Sequence, residues 1–415
     1  MKIIADLHVH SKYSRATSFT TDLENLDKWA QIKGINVLGT GDFTHPQWFL
    51  QLKEKLKPTE QGLFTLAGSS TGTRFLLSSE ISCIYSKNNK TRKIHLIVLS
   101  PSLEIVEKIN SQLGSIGNIK SDGRPILGLD AKELAKIILN ISSDCVIIPA
   151  HIWTPWFSLF GSKSGFDSIE ECFEEYSKYI FMAETGLSSN PQMNWRLSAL
   201  DKVSLISNSD AHSPAKIGRE ANVFNTDLNY FSIINAIRSK DPNKFLYTIE
   251  FFPEEGKYHY DGHRLCNVSF SPEETRKHKN ICPVCKKPLT IGVLNRVEEL
   301  SDRSIDFKPA QAIPFKSLIS LEKIIMESLG VKSATKEVAK QYQSLINHFQ
   351  NELEILLNIP KTDLEKVSLP EIVEGIIRVR EEKILIEPGY DGVFGKIKIF
   401  SQSERKNISG QSALF

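Results

Sequence analysis

Asp6-Leu7-His8-Val9-His10, at the end of the apolar run 2–7, decides the reading of the fold. Alternate residues of a strand point to one side, so His8 and His10 can hold one ion together. Asp210-Ala211-His212 repeats the spacing after the apolar run 203–207. Between the two lie further strand-like runs at 36–40, 75–84, 94–99, 145–150 and 180–184. Helix-like stretches fall at 22–33, 131–141, 168–176 and 230–239. This alternation favours a parallel sheet or a barrel with helices outside. The residues able to do chemistry sit at strand ends, the face on which βα barrels build active sites.

Six of the ten histidines precede residue 213: His8, His10, His45, His95, His151 and His212. A lone histidine at a strand end is ordinarily a satisfied polar residue. Two D/H-x-H pairs with Glu80 and further strand-end histidines in one array point instead to metal. Carboxylate and imidazole together suit Zn²⁺, Mn²⁺ or Fe²⁺. Clustered ions can supply a hydroxide at neutral pH and clamp phosphoryl oxygens, so no protein nucleophile is required. Asp6 is expected to orient a histidine from behind, and Glu184 is a similar supporting candidate.

The bulk numbers bound the alternatives. A chain of 415 residues suggests two to four domains. Apolar content of 40% and charged content of 24% are those of ordinary globular protein, and a net charge of +2 permits a nucleic-acid partner without announcing one. No run of about 18 apolar residues is present, and the N-terminal apolar stretch is too short for a signal peptide, so a cytoplasmic protein that does not span a membrane is expected. Cys83, Cys145 and Cys172 read as core thiols.

Residues 250–296 are rich in Gly, Pro, Cys, His, Lys and Arg. Within them His263-x-x-Cys266 and Cys282-x-x-Cys285 have the spacing of a closed tetrahedral zinc site, with His259 as an alternative to His263. Arg276, Lys277, Lys279, Lys286, Lys287 and Arg296 surround it, as solvated charges or as a basic grip on backbone phosphates. The pattern turns helical over 315–357 and 369–382, and 384–395 reads as strand, glycine turn and strand. Residues 401–410 are polar. The sequence Gln411-Ser412-Ala413-Leu414-Phe415 looks like the short motif by which bacterial repair proteins dock on the sliding clamp.

The order Asp6-x-His8-x-His10, Gly41-Asp42, Glu80, His95, His151, Asp210-x-His212 resembles the polymerase-and-histidinol-phosphatase (PHP) superfamily. The resemblance implies a distorted (β/α)7 barrel around two or three metals. His8, His10, Glu80 and Asp210 would hold one ion, Glu80 would bridge to a second on His95 and His151, and His212 would hold a third. The chain departs from the usual Thr-Asp-His at Gly41-Asp42-Phe43-Thr44-His45. There Phe43 replaces the histidine, so His45 substitutes beside Asp42 or the third site is weak.

Three features narrow the substrate. The aromatic loop Ile152-Trp153-Thr154-Pro155-Trp156-Phe157 follows a ligand histidine. It can wedge between bases, wall a base pocket or pack a hydrophobic corner. The zinc-like spacing is the second. The third is a likeness over about residues 1–400, carried by Pro149-Ala150-His151-Ile152-Trp153-Thr154-Pro155-Trp156, Glu184-Thr185-Gly186-Leu187-Ser188-Ser189-Asn190-Pro191, Asp210-Ala211-His212-Ser213-Pro214, the HxxC…CxxC segment and Pro388-Gly389-Tyr390-Asp391-Gly392. Together these look like the endonuclease Q family.

That resemblance implies an α/β barrel over 1–248, a zinc-binding region over 249–310, a mainly helical domain over 311–400 and a tail over 401–415. It implies a DNA-repair endonuclease that nicks 5′ of uracil, hypoxanthine, xanthine and abasic sites, with structural Zn²⁺ and catalytic Mg²⁺, Mn²⁺ or Zn²⁺. The alternative is a PHP-type small-molecule phosphatase. Candidate DNA contacts are Arg15, Trp153, Trp156, Phe157, Ser188, Ser189, Lys216, Arg219 and Tyr390. The catalytic set is His8, His10, Glu80 and Asp210 with Asp6 behind them, and a monomer is expected.

Overall fold

A computed structural model describes residues 1–401 and 404, so the clamp-like motif at 411–415 lies outside the described residues. The strand Lys2–Asp6 stands at the centre of a mixed sheet, parallel to Val37–Gly39 and antiparallel to Ala221–Asn225. On one side Val37–Gly39 runs parallel to the long strand Arg74–Lys87. That strand pairs antiparallel with Lys90–Ser100, which in turn pairs with Val146–Pro149. On the other side Ala221–Asn225 pairs with Phe245–Glu250, and Phe315–Ser317 adds a parallel edge. Met182–Glu184 and Ser204–Ile206 form a separate parallel pair.

The expected run of parallel strands is thus broken by antiparallel pairs. For the pair Arg74–Lys87 and Lys90–Ser100 the cause is local: Asn88 and Asn89 both take positive φ, 55° and 58°. A two-residue loop of that kind matches the strand twist and folds the chain straight back. Alternation along the first strand is as the spacing requires. Ile3, Ala5 and Leu7 enter an apolar cluster with Val37, Leu76 and Ile148, while His8 and His10 face the other way.

The helices begin where capping chemistry allows. Asp22 caps Leu23–Lys33, and Gly34 closes it at φ 88°. Asp130 caps Ala131–Ile141, and Asn229 caps Tyr230–Ser239. The stretch at 168–176 is a short helix, Ile169–Phe173, continued by a 3-10 turn. Leu103–Ile116, an amphipathic helix capped by Ser102, was not anticipated.

Over 315–357 the chain is not one helical run. Phe315–Ser317 is a strand, and the helices Leu321–Ser328, Lys336–Phe349 and Glu352–Leu357 follow. These helices share the main apolar core with the sheet, from Val9 to Phe400. Lys33 and the buried Glu352 pair at 2.6 Å across that junction, and Tyr342 also donates to Glu352. The strand–turn–strand reading near the end appears as Leu385–Glu387 paired with Lys396–Lys398. No helix among the described residues is long and apolar enough to cross a membrane.

Candidate active site

His8 and His10 leave the first strand on one face, and the parallel bridge Val9–Ala211 draws Asp210 alongside. Glu80 comes from mid-strand, His95 from the antiparallel partner, and His151 from just past Val146–Pro149. Ligand atoms of His8, His10, Glu80 and Asp210 all lie within 4.8 Å of one another, as do those of Glu80, His95 and His151. Glu80 belongs to both groups. One carboxylate oxygen meets His95 Nδ1 at 2.6 Å and His151 Nε2 at 3.0 Å; the other lies 3.2 Å from His10 Nε2.

The backbone is bent to make this cluster. His151 and Asp210 adopt φ of 31° and 46°, a region that non-glycine residues rarely occupy. Strain of this sort costs on the order of 1–3 kcal/mol per residue and persists where the surroundings over-determine it. Around His151 they do. Glu184 accepts the His151 backbone N–H at 2.9 Å, and Gly186 packs so close that a Cβ there would fall 2.4 Å from the His151 Cβ.

The imidazoles are oriented from behind. Glu184 accepts from His8 Nδ1 at 3.1 Å and from Asn208 at 2.9 Å. Asp42 accepts from His10 Nδ1 at 3.0 Å. With Nδ1 protonated, each Nε2 lone pair faces the cluster, as metal ligation requires. His8 Nε2 is buried without a hydrogen-bond partner, an orphan that a cation would satisfy.

The electrostatics agree. Burial opposes the ionised form of Glu80, yet the charges of Arg124 and His8 hold its carboxyl well below the usual range. Burial likewise opposes ionisation of Asp210, and His8 and His10 overcome it. Burial pulls His95 down to about 4, while the surrounding carboxylates outweigh burial and push His8, His10 and His151 up, so a bound cation would take the place of those protons.

Several expected residues take other places. Asp42 makes its contacts behind His10: it accepts from the Ser11 backbone and hydroxyl at 2.6 and 2.7 Å and from Ser14 at 2.9 Å. Phe43 is fully buried in the core. His45 turns away, its Nε2 on the Lys120 carbonyl and its ring stacked on Tyr13. His212 stands beside the cluster, with its ring 4.5 Å from that of His10 and its Nδ1 at 2.9 Å from the Asp210 carbonyl. Asp6 makes no hydrogen bond to a histidine. It accepts the backbone N–H of Ser209 and Gly218 and so pins the loop that carries Asp210.

The nucleic-acid candidates divide in the same way. Trp153 is buried, donating to Asn194 at 2.7 Å and packed against Phe160, so it braces the loop from below. Trp156 stays 45% exposed, and Phe157 lies 4.7 Å from the His95 ring. With Thr154, Ser188, Tyr258 and His259 they line a cavity beside the cluster. Ser189 is buried and donates to the Thr185 carbonyl, closing a turn. Arg219 is spent on the carbonyls of Ser209 and Asp210. Arg15 is exposed beside Asp122, and the exposed Lys216 shares a depression with Ser18, His212 and Arg219. Tyr390 donates to Asn267 and ties the last hairpin to the cysteine segment.

His263, Cys266, Cys282 and Cys285 bring their ligand atoms within 4.8 Å of one another. His259 is absent from the group; it is buried, and burial pulls its pKa down to about 4. Lys277 pairs with Glu273, and Arg276 lies near Glu298. Arg296 is buried, donating to the Phe160 carbonyl and pairing with Asp167, which fastens the cysteine segment to the aromatic loop.

Sequence reading passed over Arg124, whose Nη1 donates to Glu80 Oε2 at 3.1 Å. It also passed over two buried carboxyls. Glu250 accepts from Thr185 and Thr248, and burial together with the Glu250 carboxyl pushes Glu220 well up. Burial pushes Glu250 up to about 7 from 4.5, with the Ser207, Thr248 and Thr185 hydroxyls offsetting only part. The folded state therefore binds the proton more tightly than the unfolded chain. The stability it contributes is complete below 4.5 and falls as pH rises towards 7. Glu250→Gln is expected to flatten that fall, a gain on the order of 1–3 kcal/mol at about pH 8. Thermal melts at about pH 5 and about pH 8 check this, and an equal loss of Tm in both proteins would contradict it.

Residues 320–383 match the family model described as the MJ0043 C-terminal domain. The chain is 35% identical over 261 residues to the uncharacterized protein MJ0043 of Methanocaldococcus jannaschii, an alignment of 60% of this chain and 32% of that one. The chain thus spans about a third of that relative's length. The structure superposes on the lesion-specific endonuclease PfuEndoQ of Pyrococcus furiosus with a TM-score of 0.86 and 30% identity, covering 98% of this chain and 99% of the other. Endonuclease Q in complex with a 27-mer duplex carrying an abasic lesion at its active site gives a TM-score of 0.84 and 30% identity, over 97% and 98% of the two chains. By this likeness along nearly its whole length, the chain belongs to the endonuclease Q family, a family of DNA endonucleases and hence of phosphodiester hydrolases.

Proposed function

We propose that this protein nicks one strand of damaged DNA immediately 5′ of a deaminated base or abasic site, leaving a 3′-hydroxyl and a 5′-phosphate. The observation that carries the reading is Glu80, a buried carboxylate shared by two ligand groups beside an aromatic cavity. His8, His10, Glu80 and Asp210 would hold one Mg²⁺, Mn²⁺ or Zn²⁺ ion, and Glu80, His95 and His151 a second. The orphaned His8 Nε2 and the ionised carboxylates fit such ions. Ions bound there supply an attacking hydroxide and neutralise charge on the phosphodiester. His263, Cys266, Cys282 and Cys285 would hold structural zinc.

Glu184 and Asp42 keep Nδ1 protonated and Nε2 free. Asp6 and Arg219 hold the Asp210 loop against the mouth. Trp156, Phe157 and Ser188 wall a pocket for a nucleotide turned out of the stack. Flipping costs a few kcal/mol and less at a mispaired or missing base, which favours lesions. Arg15 and Lys216 are placed to meet backbone phosphates. The mixed sheet is read as a distorted PHP barrel over 1–248, followed by the zinc-binding region to 310, the helical domain to 400 and a tail to 415. The motif at 411–415 is proposed to dock on a sliding clamp, so its deletion should abolish recovery in a pull-down with purified clamp.

A panel of labelled duplexes bearing uracil, hypoxanthine, an abasic site or no lesion, run beside small phosphomonoesters, tests the activity. Lesion-dependent nicking with Mg²⁺ or Mn²⁺ is the expected result. Turnover of the monoesters alone would replace this reading with a small-molecule phosphatase.

A further inference from the structure

The altered corner of the cluster at Asp42-Phe43 is closed rather than merely weakened. A carboxylate has roughly four acceptor positions. Asp42 commits its own to His10, the Ser11 backbone and the Ser11 and Ser14 hydroxyls. Phe43 is in the core, and His45 is turned to Lys120. Gly123 then packs onto the carboxylate: a Cβ there would lie 2.3 Å from Asp42 Oδ2 and 2.4 Å from Ser14 Oγ.

The loop that seals this corner delivers a cation of its own. Gly123 donates its backbone N–H to the Tyr13 carbonyl, and Thr44 donates to the Gly123 carbonyl. On the far side the Ser82 N–H donates to Pro125. Asp122 accepts the Arg124 N–H at 3.1 Å. Arg124 is therefore fixed from both sides, and its Nη1 donates to Glu80 Oε2, the carboxylate oxygen that also faces His8 and His10. Among the described residues Glu80 is the sole hydrogen-bond partner of the guanidinium. Its side chain remains 25% exposed, and no hydrogen bond within the described residues engages its other guanidinium N–H groups.

We propose that Arg124 takes the part of a third cation: a catalytic residue that donates to a non-bridging oxygen of the scissile phosphate, in a barrel site holding two ions. A guanidinium carries a permanent charge and fixed donors that match phosphate oxygens. This rests on the endonuclease reading above. It adds that the corner closed by Asp42 and Gly123 carries its positive charge on the protein.

The test uses the full chain with its ions. Metal analysis of wild type, Arg124→Ala and Arg124→Lys should give the same count, two barrel ions plus one at the cysteines. Turnover is followed on lesion DNA and on bis(4-nitrophenyl) phosphate, with folding checked by melting. Arg124→Ala should lose roughly 100–1000-fold in kcat with little change in KM. Free guanidinium should restore part of the loss while urea restores none, and Arg124→Lys should retain an intermediate rate. A third barrel ion in wild type would overturn the proposal. So would loss of an ion in Arg124→Ala, which would make the residue only a brace for Glu80, or an unchanged kcat. If wild type hydrolyses the small diester but ignores lesion DNA, the endonuclease reading fails while the Arg124 claim is still decided on the diester.

Discussion

Replacing Glu80 with glutamine is expected to abolish practical activity, a fall on the order of 10³-fold or more in kcat/KM, because this one side chain belongs to both ligand groups and such groups act as a unit. The physical cause is charge. Glu80 is buried among His8, His10, His95 and His151 and is held ionised by Arg124 and His8 against the cost of burial. A neutral amide of the same shape would leave those imidazoles and Arg124 without their shared anion. Ion occupancy should fall from the two ions proposed for this cluster towards one or none. Metal analysis and steady-state kinetics on lesion DNA check both parts. Retention of both ions with near-normal turnover would remove Glu80 from the centre of the mechanism.

Cys282→Ser should have the second-largest effect, on structure before chemistry. The segment around the cysteines has little core of its own: Val268, Cys282 and Leu289 are its buried apolar residues, with Cys266, Phe270 and Cys285 packed against them. Zinc-finger peptides gain roughly 10–16 kcal/mol from their ion, so a segment this small depends on it. The variant should lose one zinc per chain, become sensitive to protease between residues 261 and 290, and bind duplex DNA at least about tenfold more weakly by one lost decade of affinity. Ion binding by the histidine-carboxylate groups should remain, since no cysteine belongs to them. Zinc analysis, limited proteolysis and a DNA-binding titration read the three consequences; a folded, zinc-free variant with normal affinity would contradict them.

Much of the site was legible because its signals are short-range. His8 and His10 obey the two-residue alternation of a strand, and His263, Cys266, Cys282 and Cys285 keep the spacing that a tetrahedral ion imposes. Glu80, His95 and His151 could be found because each lies in or beside an apolar run. What escaped notice depends on tertiary placement. Arg124 sits in an irregular loop, and no local pattern says that Asp122 and Gly123 turn it onto Glu80. Trp153 and Trp156 are three residues apart, yet one is buried on Asn194 and the other exposed. Asp6 has the right spacing to orient a histidine, but the backbone N–H groups of Ser209 and Gly218 take its oxygens.

The fold shows the same division. Helix starts at Asp22, Asp130 and Asn229 follow from side chains that cap their own backbone. The strand Phe315–Ser317 is only three residues long and precedes a helix, so periodicity could not separate it from the helical run. Its identity comes from pairing with Phe245–Glu250, a partner far away in sequence.

Cutting of DNA beside a lesion by the ligand cluster is the proposed activity. Its most direct test is to map, at nucleotide resolution, the ends made by wild type and by Asp210→Ala on a duplex with a single deoxyuridine. The expected result is one metal-dependent nick immediately 5′ of the deoxyuridine with a 3′-hydroxyl and a 5′-phosphate, lost in Asp210→Ala. Cuts that ignore the deoxyuridine, or a nick that persists in Asp210→Ala, would contradict the claim.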